Sequence, residues 1–354
     1  MSERAMGRPT GRARAAFDRI GGDAHTRRLL VILAVLCLFF WLVRPDSFLS
    51  IGTWQSMAIQ FPEFGIMALG VMLAMITGGI DLSVVGIANM TAITAAVTML
   101  SIAPAGSGEG QVVVAIAVSV ALAILLGAAA GVFNGLLVAK VRIPAILVTL
   151  GTLELFTGIA IVITGGKPKS GLPMLYSEVL AGKVAGLIPV QLIVFVAAAL
   201  VVAFLLNRTT YGVKLYALGT NATAARFSGV NSTSILVRTY LISGLFAAVA
   251  GLVMLANYNS AKADYGTTYT LLTVLIVVLG GVNPNGGSGR LAGVVLAVAI
   301  LQILSSGLNM FPEISNFYRP LIWGSVLLLV VSTSGSSNRS LWSRLRPRKE
   351  SHTE

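Results

Sequence analysis

The 354 residues are 56% hydrophobic and only 11% charged, with a mean hydropathy of +0.87, whereas a soluble domain is roughly one quarter charged. The net charge of +12 does not indicate a nucleic-acid binder, because the basic residues lie in the tails and short loops and form no stripe on a folded face. A lone cysteine (Cys37) in an apolar run, two histidines (His25 and His352) in polar tails, and the lack of any H-x-x-x-H or C-x-x-C pattern exclude a disulfide framework and a structural zinc site.

A spanning helix needs about 20 apolar residues. The chain offers ten such segments: 29–43, 54–77, 79–100, 111–139, 143–164, 189–206, 235–257, 269–281, 290–310 and 319–333. The expected fold is therefore all-α, a polytopic membrane helix bundle of about ten spans filling residues 28–333. Tails 1–27 and 334–354, rich in Arg, Ser and Gly, are predicted to be disordered and cytoplasmic. The basic stretch before the first segment runs to Arg28 and many spans follow, so that segment reads as an anchor and not a cleaved signal. With the first tail inside, 19 of the 25 basic residues fall on the cytoplasmic side and 6 outside, the bias that orients membrane proteins. Both termini are then cytoplasmic. The longest external loop is 165–188 and the longest cytoplasmic one 207–234.

Four sequence features carry functional expectations. At the junction of segments 2 and 3, Gly78-Gly79-Ile80-Asp81-Leu82-Ser83 combines a turn that tolerates positive φ with helix-capping side chains. It reads either as a capped turn or as a helix broken inside the membrane, where an ionisable residue marks a path or gate. Segment 8 ends in Gly280-Gly281, with Asn283 and Asn285 falling under Asp81 and Ser83 at an offset of 202. This is an internal echo or a coincidence of apolar runs ending in Gly-Gly. In segment 4, Gly127, Gly131 and Gly135 leave one helical face bare for close packing, beside Asn134. Glu63 follows Pro62 in the outer part of segment 2, where it could meet an incoming solute, and Glu154 lies within segment 5. Both acids are costly in lipid and so are expected to face protein or water.

The stretch 218–231 is the most informative. Asn221 can cap a short helix, Ala224 and Ala225 give it a smooth face, Arg226 is its charge, and Gly229 stops it. It reads as a knob for a groove on a partner protein or as an interfacial helix, which Phe227 alone would anchor poorly.

These motifs resemble those of permease subunits of ATP-binding-cassette importers for simple sugars, of the ribose, xylose and autoinducer-2 type. The resemblance covers about residues 50–333. It rests on Gly-Gly-Ile-Asp-Leu-Ser at 78–83, Leu-Gly-Thr-Asn-Ala-Thr-Ala-Ala-Arg-Phe-Ser-Gly-Val at 218–230, and Val-Leu-Gly-Gly at 278–281 followed by Gly286-Gly287. Branched-chain amino-acid permeases share the fold class but not the first two elements together. The family usually follows Asp-Leu-Ser-Val with Gly-Ser, whereas here Val85 precedes Gly86.

The resemblance implies a type II importer-like permease in a bacterial inner membrane. In it, two permease copies or paralogues form the path for a sugar or sugar-like solute. A cytoplasmic ATPase binds inside and a periplasmic binding protein delivers the solute outside. Residues Gly219, Asn221, Ala224, Ala225, Arg226, Phe227 and Gly229 would form the helix that couples to the ATPase. Glu63, Gly78, Gly79, Asp81, Ser83, Asn134, Gly280, Gly281 and Asn283 would belong to the path or gate. No cofactor or metal is expected. The chain has no G-x-x-x-x-G-K-[ST] loop, so ATP would be used by a separate subunit. The alternative is a secondary transporter of a small polar solute driven by an ion gradient, but three scattered carboxylates make a thin coupling cluster. No HExxH or GxSxG motif or paired catalytic acids point to an intramembrane enzyme.

Overall fold

The computed structural model describes residues 24–311 together with 313, 318, 321–325 and 328. The tails before 24 and after 328 lie outside the described residues, as does most of the expected segment 319–333. In chain order, α1 is Ala24–Val43, α2 Pro45–Phe48, α3 Ile51–Ile76, α4 Val84–Ile102 and α5 Glu109–Leu136. The last continues as a π-helical turn Leu137–Val141. Then come α6 Ala145–Thr164, β1 Lys169–Ser170, α7 Met174–Leu180, β2 Lys183–Val184, β3 Ile188–Pro189 and α8 Val190–Arg208. The remainder is α9 Thr210–Thr220, α10 Ala222–Phe227, α11 Ser232–Tyr258, β4 Ser260–Ala261, α12 Tyr269–Leu279 and α13 Leu291–Leu308.

Among the described residues, eight helices are long and apolar enough to cross a membrane: α1, α3, α4, α5, α6, α8, α11 and α13. The bundle is thus helical as expected, and the count of ten needs correction at one described segment. Segment 269–281 forms a helix of 11 residues, about 16 Å long at 1.5 Å per residue, which is half the hydrocarbon thickness. It runs beside α3 from the level of Glu63 and Phe64. Boundaries move for local reasons as well. Ser50 caps α3, whose first residue Ile51 lies three residues before the apolar run begins; the Ser50 side chain accepts from the Thr53 N–H at 3.2 Å. α5 ends where Arg142 turns left-handed at φ +65°, just ahead of Pro144.

Two helices form the axis. α3 and α11 are buried along most of their length, while α1, α5, α6 and α8 are largely exposed on their outer faces. At the end of the bundle that carries residues 165–188, two-residue antiparallel ladders fasten the loops. β1 pairs with β4 (Lys169 opposite Ala261) and β2 with β3 (Lys183 opposite Pro189). α9 and α10 sit at the opposite end.

The closest helix contact follows the glycine stripe. A side chain on Gly127 would strike the Ala248 Cβ at 2.5 Å, and one on Gly135 would lie 2.7 Å from the Val237 Cα. One on Gly131 would overlap the Tyr240 carbonyl. α5 therefore lies backbone-to-backbone on α11, where Gly244 answers Gly127 and Gly131. In lipid, where burial of apolar surface drives little helix association, such close van der Waals contact is the principal glue. Gly131→Val should cost about 1–3 kcal/mol through overpacking, read as a lower thermal unfolding midpoint in detergent. Gly110→Ala, where space is open, should leave the midpoint unchanged.

Candidate functional site

After α3 the chain does not go straight into the next helix. The Gly78 N–H donates to the Met75 carbonyl at 2.9 Å and the Gly79 N–H to Ala74 at 3.2 Å, with Gly78 at φ +86°, a left-handed helix stop that favours glycine. Residues 79–82 then run without helical structure back into the bundle. Asp81 Oδ2 accepts from the Ser243 hydroxyl at 2.7 Å, and Ser243 packs on Gly70. Gly70 lies six residues before the end of α3, about 9 Å along its axis, so α4 starts well inside the bundle. Non-helical backbone at such depth is tolerated only when protein satisfies it. Thr149 donates to the Ile80 carbonyl at 2.9 Å. The Ser83 N–H and hydroxyl reach Asp81 Oδ1 at 3.0 and 2.6 Å. Asn134 of α5 donates to the Ser83 hydroxyl at 2.8 Å. Asp81, Ser83, Asn134 and Ser243 are all buried. Asp81 thus braces the non-helical stretch and ties it to α11, while α4 itself starts after Ser83 without a side-chain cap.

The second glycine turn has the same local form in a different setting. The Gly281 N–H donates to Val278 at 2.9 Å and the Val282 N–H to Val277 at 3.2 Å, with Gly281 at φ +83°. Gly281 is therefore the counterpart of Gly78, an offset of 203 in place of the 202 read from the glycines. One residue later the offset returns to 202, since Asn283 Oδ1 accepts from the Asn285 N–H at 3.0 Å as Asp81 does from Ser83. Asn283 is exposed and far from the Asp81 cluster in role, while Gly280 packs on Gly293 and Val294 of α13.

The two turns meet each other and α9. The Gly287 N–H donates to the Ile76 carbonyl at 2.9 Å. A side chain on Gly286 would lie 2.7 Å from the Gly78 nitrogen, and one on Gly219 would overlap the Ile76 carbonyl and stand 2.5 Å from the Gly287 nitrogen. Gly219 thus seats the end of α9 directly on both turns. The following helix α10 is capped by Asn221, which accepts from the Ala224 N–H at 2.9 Å. It is stopped at Gly229, φ +79°. Ala224, Arg226 and Phe227 are exposed, Phe227 by 90%, whereas Ala225 is buried against the bundle. Of the alanines read as a smooth face, Ala222 and Ala224 lie outward beside Arg226 and Ala225 lies inward. The projecting group is an aromatic ring.

At the other end, Glu63 is buried in α3 and accepts from Asn257 at 2.7 Å, Tyr258 at 2.8 Å and Tyr269 at 3.2 Å. It lines a cavity of about 410 Å³ with Gln60, Gln302, Ser305, Asn309 and Trp323 and the apolar side chains of Phe64, Leu272 and Leu301. Glu154, by contrast, stands exposed midway along α6.

Residues 54–331 match the sequence profile of the family described as branched-chain amino acid transport system / permease component. The chain belongs to this permease family. It is similar to the ribose import permease protein of Bacillus subtilis (strain 168), 33% identical over 84% of this chain and 89% of the relative. It is also similar to the autoinducer 2 import system permease protein of Salmonella typhi, 32% identical over 92% of this chain and 90% of the relative. A solved structure of a metal-chelate type ABC transporter in an inward-facing conformation covers 90% of this chain and 99% of its own, with a TM-score of 0.49 and 16% identity.

In this permease the residues read from sequence fall into three separate places, namely the Asp81 cluster, the α9–α10 knob with both glycine turns, and the Glu63 cavity. Ser243, Asn257, Tyr258 and Tyr269 escaped the sequence reading, because each is an ordinary polar residue in an apolar run until its partner is known. Asp81→Ala would leave the Ser83 and Ser243 donors without an acceptor in a dry site, and it should cost about 3 kcal/mol. Ser243→Ala should cost about 1 kcal/mol. Thermal unfolding of the two variants in the same detergent checks the ranking.

Proposed function

We propose that this permease forms the membrane path for a simple sugar or sugar-like solute in an ATP-driven, binding-protein-dependent importer of a bacterial inner membrane. The similarity to ribose and autoinducer 2 permeases along most of both chains carries this reading. The Glu63 cavity suits such a cargo. A carboxylate, amides and aromatic rings can accept and donate to hydroxyl groups while covering apolar sugar faces, and Glu63 takes the role of the entry-side residue of the path. Gly78, Gly79, Asp81, Ser83 and Asn134 form the support of the gate, with Gly280, Gly281 and Asn283 as its opposing turn.

The knob of Gly219, Asn221, Ala224, Ala225, Arg226, Phe227 and Gly229 couples to a cytoplasmic ATPase. Its residues divide into two tasks. Phe227 and Arg226 face the partner, an aromatic and a cation of the kind that anchor protein contacts. Gly219 and Ala225 hold the helix to the bundle. Movement imposed on α10 reaches Ile76 and Gly287 through backbone contacts, with no flexible side chain between. The partners are the ATPase inside, a periplasmic sugar-binding protein outside, and a second permease. ATP is used by the separate ATPase subunit. Both termini are cytoplasmic, which places 165–188 outside.

The deciding experiment is reconstitution with an ATPase and an external binding protein, with ribose as the probe. Uptake that needs both proteins and ATP supports the reading, and uptake driven by an ion gradient alone defeats it. Phe227→Ser should leave insertion intact yet weaken ATPase association by about 2 kcal/mol, roughly thirtyfold, in pull-down measurements, with ATP-dependent uptake falling in parallel. Undiminished pull-down would assign α10 to the membrane surface. Reporter fusions after Glu354 and within 165–188 should report opposite sides, the former cytoplasmic.

A further inference from the structure

Charge is unevenly shared between the two ends of the bundle. Among the described residues, no exposed carboxylate stands at the end that carries α9 and α10, whereas Arg27, Arg28, Arg208, Lys214 and Arg290 are all exposed there. Part of this cation group surrounds a groove of about 610 Å³ between α1, α8, α9 and the start of α13. Thr26, Asn207, Tyr216 and Arg290 line its polar part. The Tyr216 hydroxyl donates to the Gly289 carbonyl at 2.8 Å, which ties α9 to the link before α13. Arg27 follows Thr26 and Arg208 follows Asn207, so two further cations adjoin the same polar mouth.

The rest of the groove is apolar, lined by Leu30, Leu206, Leu291, Val295 and Leu296. From Arg290 to Leu296 its wall follows α13 for about 9 Å, and Leu30 stands one turn beyond Thr26 on α1. This part lies at the level of the spans. The helices α1 and α8 beside it are largely exposed on their outer faces, and Ala292 on its flank is exposed too. In a membrane the groove therefore opens toward lipid.

A soluble partner can reach the mouth from water, but it does not fill an apolar slot that opens on hydrocarbon. A phospholipid meets both halves at once. Basic pockets between spans take anionic headgroups, and the planar guanidinium fork matches phosphate oxygens. We propose that this groove holds one anionic phospholipid, its phosphate at Arg290 with Arg27 and Arg208 alongside, and an acyl chain along Leu30, Val295 and Leu296. The lipid braces α1 and α9 against the start of α13. Next to it, the His25 ring of α1 packs on Gly281 of the second glycine turn and meets the Leu279 carbonyl at 3.0 Å. The site serves the permease whatever solute it carries.

The test uses the full chain purified in a neutral detergent, with lipid binding read by native mass spectrometry and the unfolding midpoint as a second readout. Dioleoyl phosphatidylglycerol is the probe, dioleoyl phosphatidylcholine its zwitterionic counterpart, and glycerol 3-phosphate the headgroup without chains. Phosphatidylglycerol should bind about fivefold or more tighter than phosphatidylcholine and raise the midpoint, and excess glycerol 3-phosphate should not displace it. Arg290→Gln and, separately, Arg27→Gln should each weaken its binding about fivefold, the share of one cation facing an anionic headgroup. Val295→Trp fills the apolar half with every cation kept and should weaken binding as much. Lys140→Gln removes an exposed cation at the same end but outside the groove, and binding should not change. Four results would overturn the proposal: equal binding of the two lipids, displacement by glycerol 3-phosphate, the same loss from Lys140→Gln as from Arg27→Gln, or no loss from Val295→Trp. The comparison of the two lipids needs no variant, so it decides the matter should Arg290→Gln fail to fold.

Discussion

The Asp81 carboxylate holds together the stretch after α3 where the backbone leaves helical structure inside the bundle. Residues 79–82 leave the helix ladder and re-enter the protein, and lipid offers nothing to pair with the backbone groups so freed. Asp81 accepts from the Ser83 N–H, the Ser83 hydroxyl and the Ser243 hydroxyl, and Asn134 completes the set through Ser83. No cation among the described residues pairs with it. Neutral donors from the start of α4 and from α11 therefore replace water around the buried carboxylate, and Asn134 adds α5 through Ser83, which constrains α4, α5 and α11 at once. The position of α4 follows from that anchor, and α4 in turn packs against β1 and β4.

Backbone contact transmits where side chains would yield. At the α10 end, Gly219, Gly286 and Gly287 let the end of α9, the turn after α3 and the turn after α12 touch main chain to main chain. A packed contact of this kind is stiff, since any displacement larger than a few tenths of an ångström produces overlap. The same device fixes α5 on α11 through Gly127, Gly131 and Gly135. Glycine is needed at these sites because of proximity. Only at Gly78, Gly281, Gly286 and Gly287 does a left-handed φ add a second reason.

Polarity is distributed to match this mechanics. The Asp81 cluster is enclosed, whereas Glu63, itself buried, borders an open cavity and Glu154 is exposed on the α6 face. α12 runs from the level of Glu63, which Tyr269 reaches, to the left-handed stop at Gly281, where His25 meets the Leu279 carbonyl at 3.0 Å.

The sequence by itself determined the class of the molecule. Helical segments of sufficient apolar length, few charges and biased basic loops admit only a bundle in lipid, and the glycine stripe, the Gly-Gly stops and the Asn221 cap are local signals that act over a turn or less. The family was legible too, in the runs 78–83 and 218–230. Tertiary structure alone decided what depended on distant partners. It buried Ala225 and exposed Phe227, although both are apolar neighbours on one short helix. It joined Glu63 to Asn257, Tyr258 and Tyr269 across some two hundred residues of chain. It set the two glycine turns in register at 203 and then 202, a slip invisible to alignment on the glycines. It shortened the 269–281 segment to half a span. Hydropathy records how much a residue avoids water. Which neighbour satisfies its polar atoms is settled only when helices far apart in sequence pack together.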